Sequence, residues 1–165
     1  LLRGLNDDQW PAWQAYLRTH PVSVRFIELM RTGDNAAYFS RHHLRADGFE
    51  AELARTGWHL LPRAADSGPA REFAHPDCMG TVGVIAPYSR DFCAGCNRLR
   101  VTAQGDLRLC LFGNTGIPLR RFLQSDDDGI ALVERICSQL GTKAYGHGLR
   151  AGETGLTSNL ATIGG

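Results

Sequence analysis

Asp91-Phe92-Cys93-Ala94-Gly95-Cys96-Asn97-Arg98-Leu99-Arg100-Val101-Thr102-Ala103-Gln104-Gly105-Asp106-Leu107-Arg108-Leu109-Cys110-Leu111-Phe112 is the stretch around which this chain is organised. Its cysteines follow a C-x2-C-x13-C spacing, with arginines just behind the second. Thiolates so spaced point to a metal. The residues between them explain how the third returns to the first two. Leu99 to Thr102 and Leu107 to Leu111 read as short strands, with Ala103 to Asp106 as their turn. Such a hairpin carries Cys110 back beside the Cys93–Cys96 loop. Three cysteines without a convincing fourth leave one position for another group. That group is His75, Cys78 or His147 in a zinc ribbon, or an outside ligand on an iron–sulfur cluster. Spacing alone leaves both open. Arg98 and Arg100 are two apart on a predicted strand and so share a face. They suit a phosphorylated ligand, or else form a solvated strand face.

Downstream of this block, Pro118 to Leu123 reads as a short helix, and Asp126-Asp127-Asp128 caps the next one. Ile130, Val133, Ile136, Cys137 and Leu140 fall on one side of that helix, which makes Cys137 a core residue. Lys143 and His147 read as surface residues. The glycine-rich segment from Gly146 has no apolar period and reads as an extended tail, with Gly164 and Gly165 at a fraying end.

Upstream, Asn6 or Asp7 caps a helix running to about Arg18, with Trp10, Trp13 and Leu17 on one face. Val22 to Leu29 reads as a buried strand that carries Arg25 and Glu28. Charges there are costly unless paired or facing a ligand cavity. Asp47 and Glu50 form a capping-box pair for a helix ending near Gly57. Trp58 to Leu61, Arg71 to Ala74 and Thr81 to Ile85 read as further strands. A strand–helix front meets a hairpin-rich back around Ala64 to Pro69. The front, 1–63, reads as the end of a β/α system, and the back, 64–165, as a small metal-bearing domain.

The bulk composition narrows the function classes. At 165 residues and 43% hydrophobic the chain can bury one or two cores. A net charge of +1 argues against nonspecific nucleic-acid binding. No apolar run is long enough to span a bilayer, so no membrane role is expected. An odd cysteine count with a clustered CxxC favours a reducing, cytoplasmic compartment. Leu1 to Asp8 lacks an initiator Met and reads as mid-chain, so an upstream half is expected.

Phe92 to Phe112, Arg25-Phe-Ile-Glu-Leu-Met30, Arg3-Gly4-Leu5-Asn6-Asp7 and the terminal Ile163-Gly164-Gly165 together resemble the molybdenum-cofactor GTP 3′,8-cyclase family, radical S-adenosylmethionine (SAM) enzymes. The resemblance runs through nearly the whole chain. It implies an α/β fold: the end of an incomplete β/α barrel, followed by a small α+β domain with an auxiliary [4Fe–4S] cluster on Cys93, Cys96 and Cys110. It implies GTP binding by Arg98, Leu99 and Arg100, with the arginines at the triphosphate, and SAM contact by Met30 on the strand that carries Arg25. It implies that Gly164 and Gly165 reach into the active site. In such enzymes a deoxyadenosyl radical takes the C3′ hydrogen of GTP, and the ribose radical closes on guanine C8.

The family's upstream C-x3-C-x2-C loop, which holds a second [4Fe–4S] cluster and SAM, is absent from these residues, as is its lysine contact to GTP. The chain alone is therefore expected to be inactive. Its expected partners are GTP, SAM and the upstream radical-SAM half, and a homodimer is left open. A zinc-binding module touching RNA or protein through Arg98, Arg100 and Arg108 is the competing reading. A different radical-SAM enzyme with an auxiliary cluster is a third, disfavoured by the Asn97–Arg100 block and the diglycine end.

Overall fold

Phe26 of the Arg25–Met30 stretch anchors the first core. The computed structural model describes residues 1–64 and 66–163, so the expected active-site glycines Gly164 and Gly165 lie outside the described residues. Helix α1 (Trp10–Thr19) is followed by strand β1 (Ser23–Ile27), helices α2 (Ala36–His42) and α3 (Ala46–Arg55), and strands β2 (His59–Leu60), β3 (Arg71–Ala74) and β4 (Thr81–Ile85). The strands form one sheet in the order β1-β4-β3-β2, with β1 parallel to β4 and the other pairs antiparallel. Val24 and Phe26 alternate inward along β1, as a half-buried strand requires. Trp10 makes edge-on contacts with Phe26 at 5.9 Å, Phe49 at 5.2 Å and Trp58 at 5.5 Å. Each such pair contributes about 0.5–1.5 kcal/mol beyond its buried area. Leu17, Leu53, Val82 and Val84 complete this core.

Two expectations for the helices are corrected. Asn6 and Asp7 do not cap α1: their side chains accept from the Leu2 and Gly4 amides in the preceding turn, and Pro11 opens the helix instead. Trp13 is exposed while Trp10 and Leu17 turn inward. The Asp47–Glu50 capping box is absent, because α3 starts behind Arg45. Asp47 pairs with Arg45 at 2.6 Å and Glu50 with Arg71 at 2.7 Å.

A second core forms beneath the cysteine hairpin. Strands β5 (Arg100–Val101), β6 (Asp106–Arg108) and β7 (Ile117–Pro118) form an antiparallel sheet in that order. The turn is closed by Thr102 N–H to Asp106 O at 2.9 Å and Gly105 N–H to Thr102 O at 2.9 Å. Gly105 sits at φ +84°, a conformation that favours glycine. Pro118 belongs to β7, and the expected helix shrinks to a 3-10 turn at Arg120–Leu123. Helix α4 (Gly129–Leu140) packs Leu132 and Ile136 onto Leu107, Leu109, Ile117 and Leu119. The expected inward face is therefore corrected: Ile130, Val133 and Leu140 are exposed, as is Cys137.

Residues Leu1–Met30 with Ala37–Phe92 form one compact unit, and Arg31–Ala36 with Cys93 onward the other. The boundary expected at 63/64 does not follow the sheet, since β3 and β4 lie beyond it and pair into the sheet of β1. No helix among the described residues is long and apolar enough to cross a membrane.

Candidate metal and anion site

In the second unit Cys93 and Cys96 bracket a turn closed by Cys96 N–H to Cys93 O at 3.1 Å. Cys110 follows β6, where Gly113 N–H bonds back to Cys110 O at 3.2 Å. The expected strand to Leu111 thus ends early, and Cys110 stands in a bend. All three are free thiols. Burial pushes the Cys93 thiol up, the backbone N–H of His147 opposes this, and the Cys110 and Cys96 sulfurs push it up further. A cationic guest beside the Cys93 sulfur would oppose that rise.

Among the described residues no group of three or more His, Cys, Asp and Glu side chains is arranged to hold a metal ion. His75 accepts from the Asp77 amide and packs on Trp58, Cys78 packs against the first core, and His147 accepts from the Leu149 amide and meets the Phe112 ring at 5.6 Å. Donors to a single ion must converge on one point, whereas a multi-iron cluster spans more widely spaced thiolates. Three thiols with an adjacent cation are the groups on which a metal or cluster could be held.

That cation is Lys143. Its ammonium donates to Cys96 O at 2.9 Å and Arg98 O at 3.0 Å, and lies 3.6 Å from Cys96 Sγ. Arg98 and Leu99 are exposed and precede β5. The shared strand face expected for Arg98 and Arg100 is corrected accordingly, since only Arg100 lies on a strand. Arg100 stands directly opposite Arg108 in the β5–β6 register. Neither Arg98 nor Arg100 has an ion-pair partner among the described residues. Opposed like charges on paired strands repel, so an anion between them is favoured. The sequence named Arg108 only for the competing reading, although counting back across the turn pairs it with Arg100. Nothing local in the sequence signals Lys143.

The profile of the Molybdenum Cofactor Synthesis C family matches residues 22–149, which include the whole hairpin. The chain belongs to this family. As a member it is 70% identical over 165 residues to a GTP 3′,8-cyclase of Stenotrophomonas maltophilia (strain R551-3), covering 100% of this chain and 51% of the relative. It is 49% identical over 165 residues to that of Vibrio cholerae serotype O1 (strain M66-2) and 47% to that of Vibrio vulnificus (strain CMCP6), again over 100% of this chain and 49% of each relative. The chain spans about half the length of these relatives. The sequence's likeness to GTP 3′,8-cyclase stands.

In the first unit of this family member, Arg25 lies on β1 and pairs with Glu72 at 3.3 Å. Met30 lies three residues past the strand and is half-buried. A cleft of about 570 Å³ in the same unit is lined by Leu60, Pro62, Arg71, Glu72, Val84 and Phe92 among others, and contains none of the residues chosen from sequence.

Proposed function

We propose that this chain is the cluster-bearing, nucleotide-binding part of a GTP 3′,8-cyclase. That enzyme converts GTP to (8S)-3′,8-cyclo-7,8-dihydroguanosine 5′-triphosphate in molybdenum cofactor synthesis. Cys93, Cys96 and Cys110 hold one [4Fe–4S] cluster, which supplies an iron not held by cysteine and hence a Lewis-acidic anchor for the guanine. Arg98, Leu99 and Arg100 bind the nucleotide, with the guanidiniums on the triphosphate. On this reading β1 belongs to the end of an incomplete β/α barrel, where Met30 and Arg25 face SAM. Gly164 and Gly165 reach into the same site. SAM and a second cluster belong to a further segment of the enzyme, and a homodimer is compatible with all of this.

The observation that carries the reading is three free thiols flanking one short hairpin, beside arginines that have no ion-pair partner among the described residues. Thiols alone suit many metals, and arginines alone many anions. Together they suit a metal-anchored nucleotide, and the GTP 3′,8-cyclase name of the relatives supports that choice.

Anaerobic reconstitution with iron and sulfide tests the cluster: about four of each per chain are expected. Zinc at one per chain without sulfide would return the competing zinc module. In the complete enzyme, Arg98→Ala or Arg100→Ala should weaken GTP about ten-fold or more, because a charged hydrogen bond contributes about 1.5–3 kcal/mol. Cluster content should be unchanged. Guanosine, which lacks phosphates, should be nearly indifferent. Equal losses for GTP and guanosine would mean that the arginines serve the fold or the base.

A further inference from the structure

Lys143 lies three residues past the end of α4, and its own amide closes the helix end on Leu140 O at 3.1 Å. The helix is held in place by Leu132 and Ile136 on the hairpin core. The lysine's stem is therefore anchored to the same core that carries the cysteines. Its ammonium has three N–H donors. Two meet the backbone carbonyls of Cys96 and Arg98, and the third is within reach of the Cys96 sulfur. No carboxylate pairs with it among the described residues. A positive charge thus spans the peptide segment that carries both the second cysteine and the first arginine.

We propose that Lys143 is a positioning residue that straps the Cys96–Arg98 loop, fixing where the Cys96 sulfur points and where Arg98 leaves the chain. The same charge sits beside a thiolate of any cluster bound there. It favours the more negative, reduced cluster and so raises its reduction potential. The second effect rests on the cluster reading above, whereas the strap does not.

The test uses the full 165-residue chain as wild type, Lys143→Met and Lys143→Arg. Methionine keeps the length and apolar stem without the charge, and arginine restores the charge. In metal-free protein, limited trypsinolysis after Arg98 reads the opening of the strap, and cleavage after Arg135, inside α4, reads unfolding of the element that carries it. Lys143→Met should speed cleavage after Arg98 by about ten-fold or more while leaving Arg135 nearly unchanged, because proteolysis follows the open population. Lys143→Arg should recover most of the protection. Unchanged cleavage after Arg98, or equal acceleration at both sites, overturns the strap.

After anaerobic loading, iron and sulfide content and a redox titration are measured. Lys143→Met should lower the cluster's midpoint potential relative to wild type, with Lys143→Arg between the two. Iron and sulfide at full content with an unshifted potential overturns the electrostatic role. Failure of the wild type itself to take up iron and sulfide overturns the cluster reading, and the trypsin result then decides the strap by itself.

Discussion

Glu28 is fully buried, and its carboxylate pairs with His43 Nε2 at 2.9 Å and lies 3.8 Å from Arg45 Nε. The His43 ring is stacked on Phe39 at 4.3 Å and cannot readily turn to water. Glu28→Ala should therefore cost about 1–3 kcal/mol, because it leaves the part-buried His43 ring nitrogen without its partner. The expected readout is a lower urea midpoint with an unchanged slope. Glu28→Gln keeps an acceptor for His43 and should cost less. Glu50 behaves differently. Burial raises its carboxyl above the ordinary range, outweighing the nearby Arg71 that lowers it. A raised native pKa gives stability that is complete below the unfolded value and lost as pH rises through the native one. Wild type should thus lose stability relative to Glu50→Gln as pH climbs through and just above the carboxylate range, then level off. A difference that grows with pH in wild type's favour would refute this. That Arg25 and Glu28 need partners was readable from the strand alone. The partners were not, because His43, Arg45 and Glu72 come from distant segments that only the tertiary fold brings near.

At the scale of elements, the hairpin was legible because its signals are local: strand residues, a glycine in the turn and a charge pattern. The tail was not. Within the segment expected as an extended tail, Gly155 to Ser158 is stitched down by Leu156 N–H to Gly113 O at 3.1 Å, Gly33 N–H to Thr157 O at 3.0 Å and Asp34 N–H to Ser158 O at 3.0 Å. The Thr157 hydroxyl donates to Leu111 O. These bonds are backbone-led and leave no apolar period to read. Gly155 sits at φ +59°, where a β-carbon would also collide with the carbonyls of Phe112 and Gly113. Gly155→Ala should cost about 1–3 kcal/mol locally. Hydrogen exchange should show faster exchange at the Gly33, Asp34 and Leu156 amides, with Glu28, bonded to Ile85 O, unaffected. In α4 the error has another source. Apolar residues lie on more than one side of the helix, and only the neighbouring sheet decides that Leu132 and Ile136 turn inward.

At the scale of the whole molecule, the chain contains no C-x3-C-x2-C among its five cysteines. Given GTP, SAM and a strong reductant, the 165-residue protein should release no 5′-deoxyadenosine above background, as read by chromatography. Release at the rate of a complete enzyme would overturn the assignment of radical generation to another segment. The sheet order has its own consequence. β1 is an outer strand of its sheet, with one row of main-chain groups turned away from β4, and the Leu1 ammonium bonds to the Ile27 carbonyl at 2.7 Å. Bare strand borders of this sort recruit other chains. Handled alone, the protein should therefore scatter more light as it is concentrated, and a proline at Ser23 or Arg25 that faced the open row would quieten it. The same border is a ready seam for a neighbouring strand.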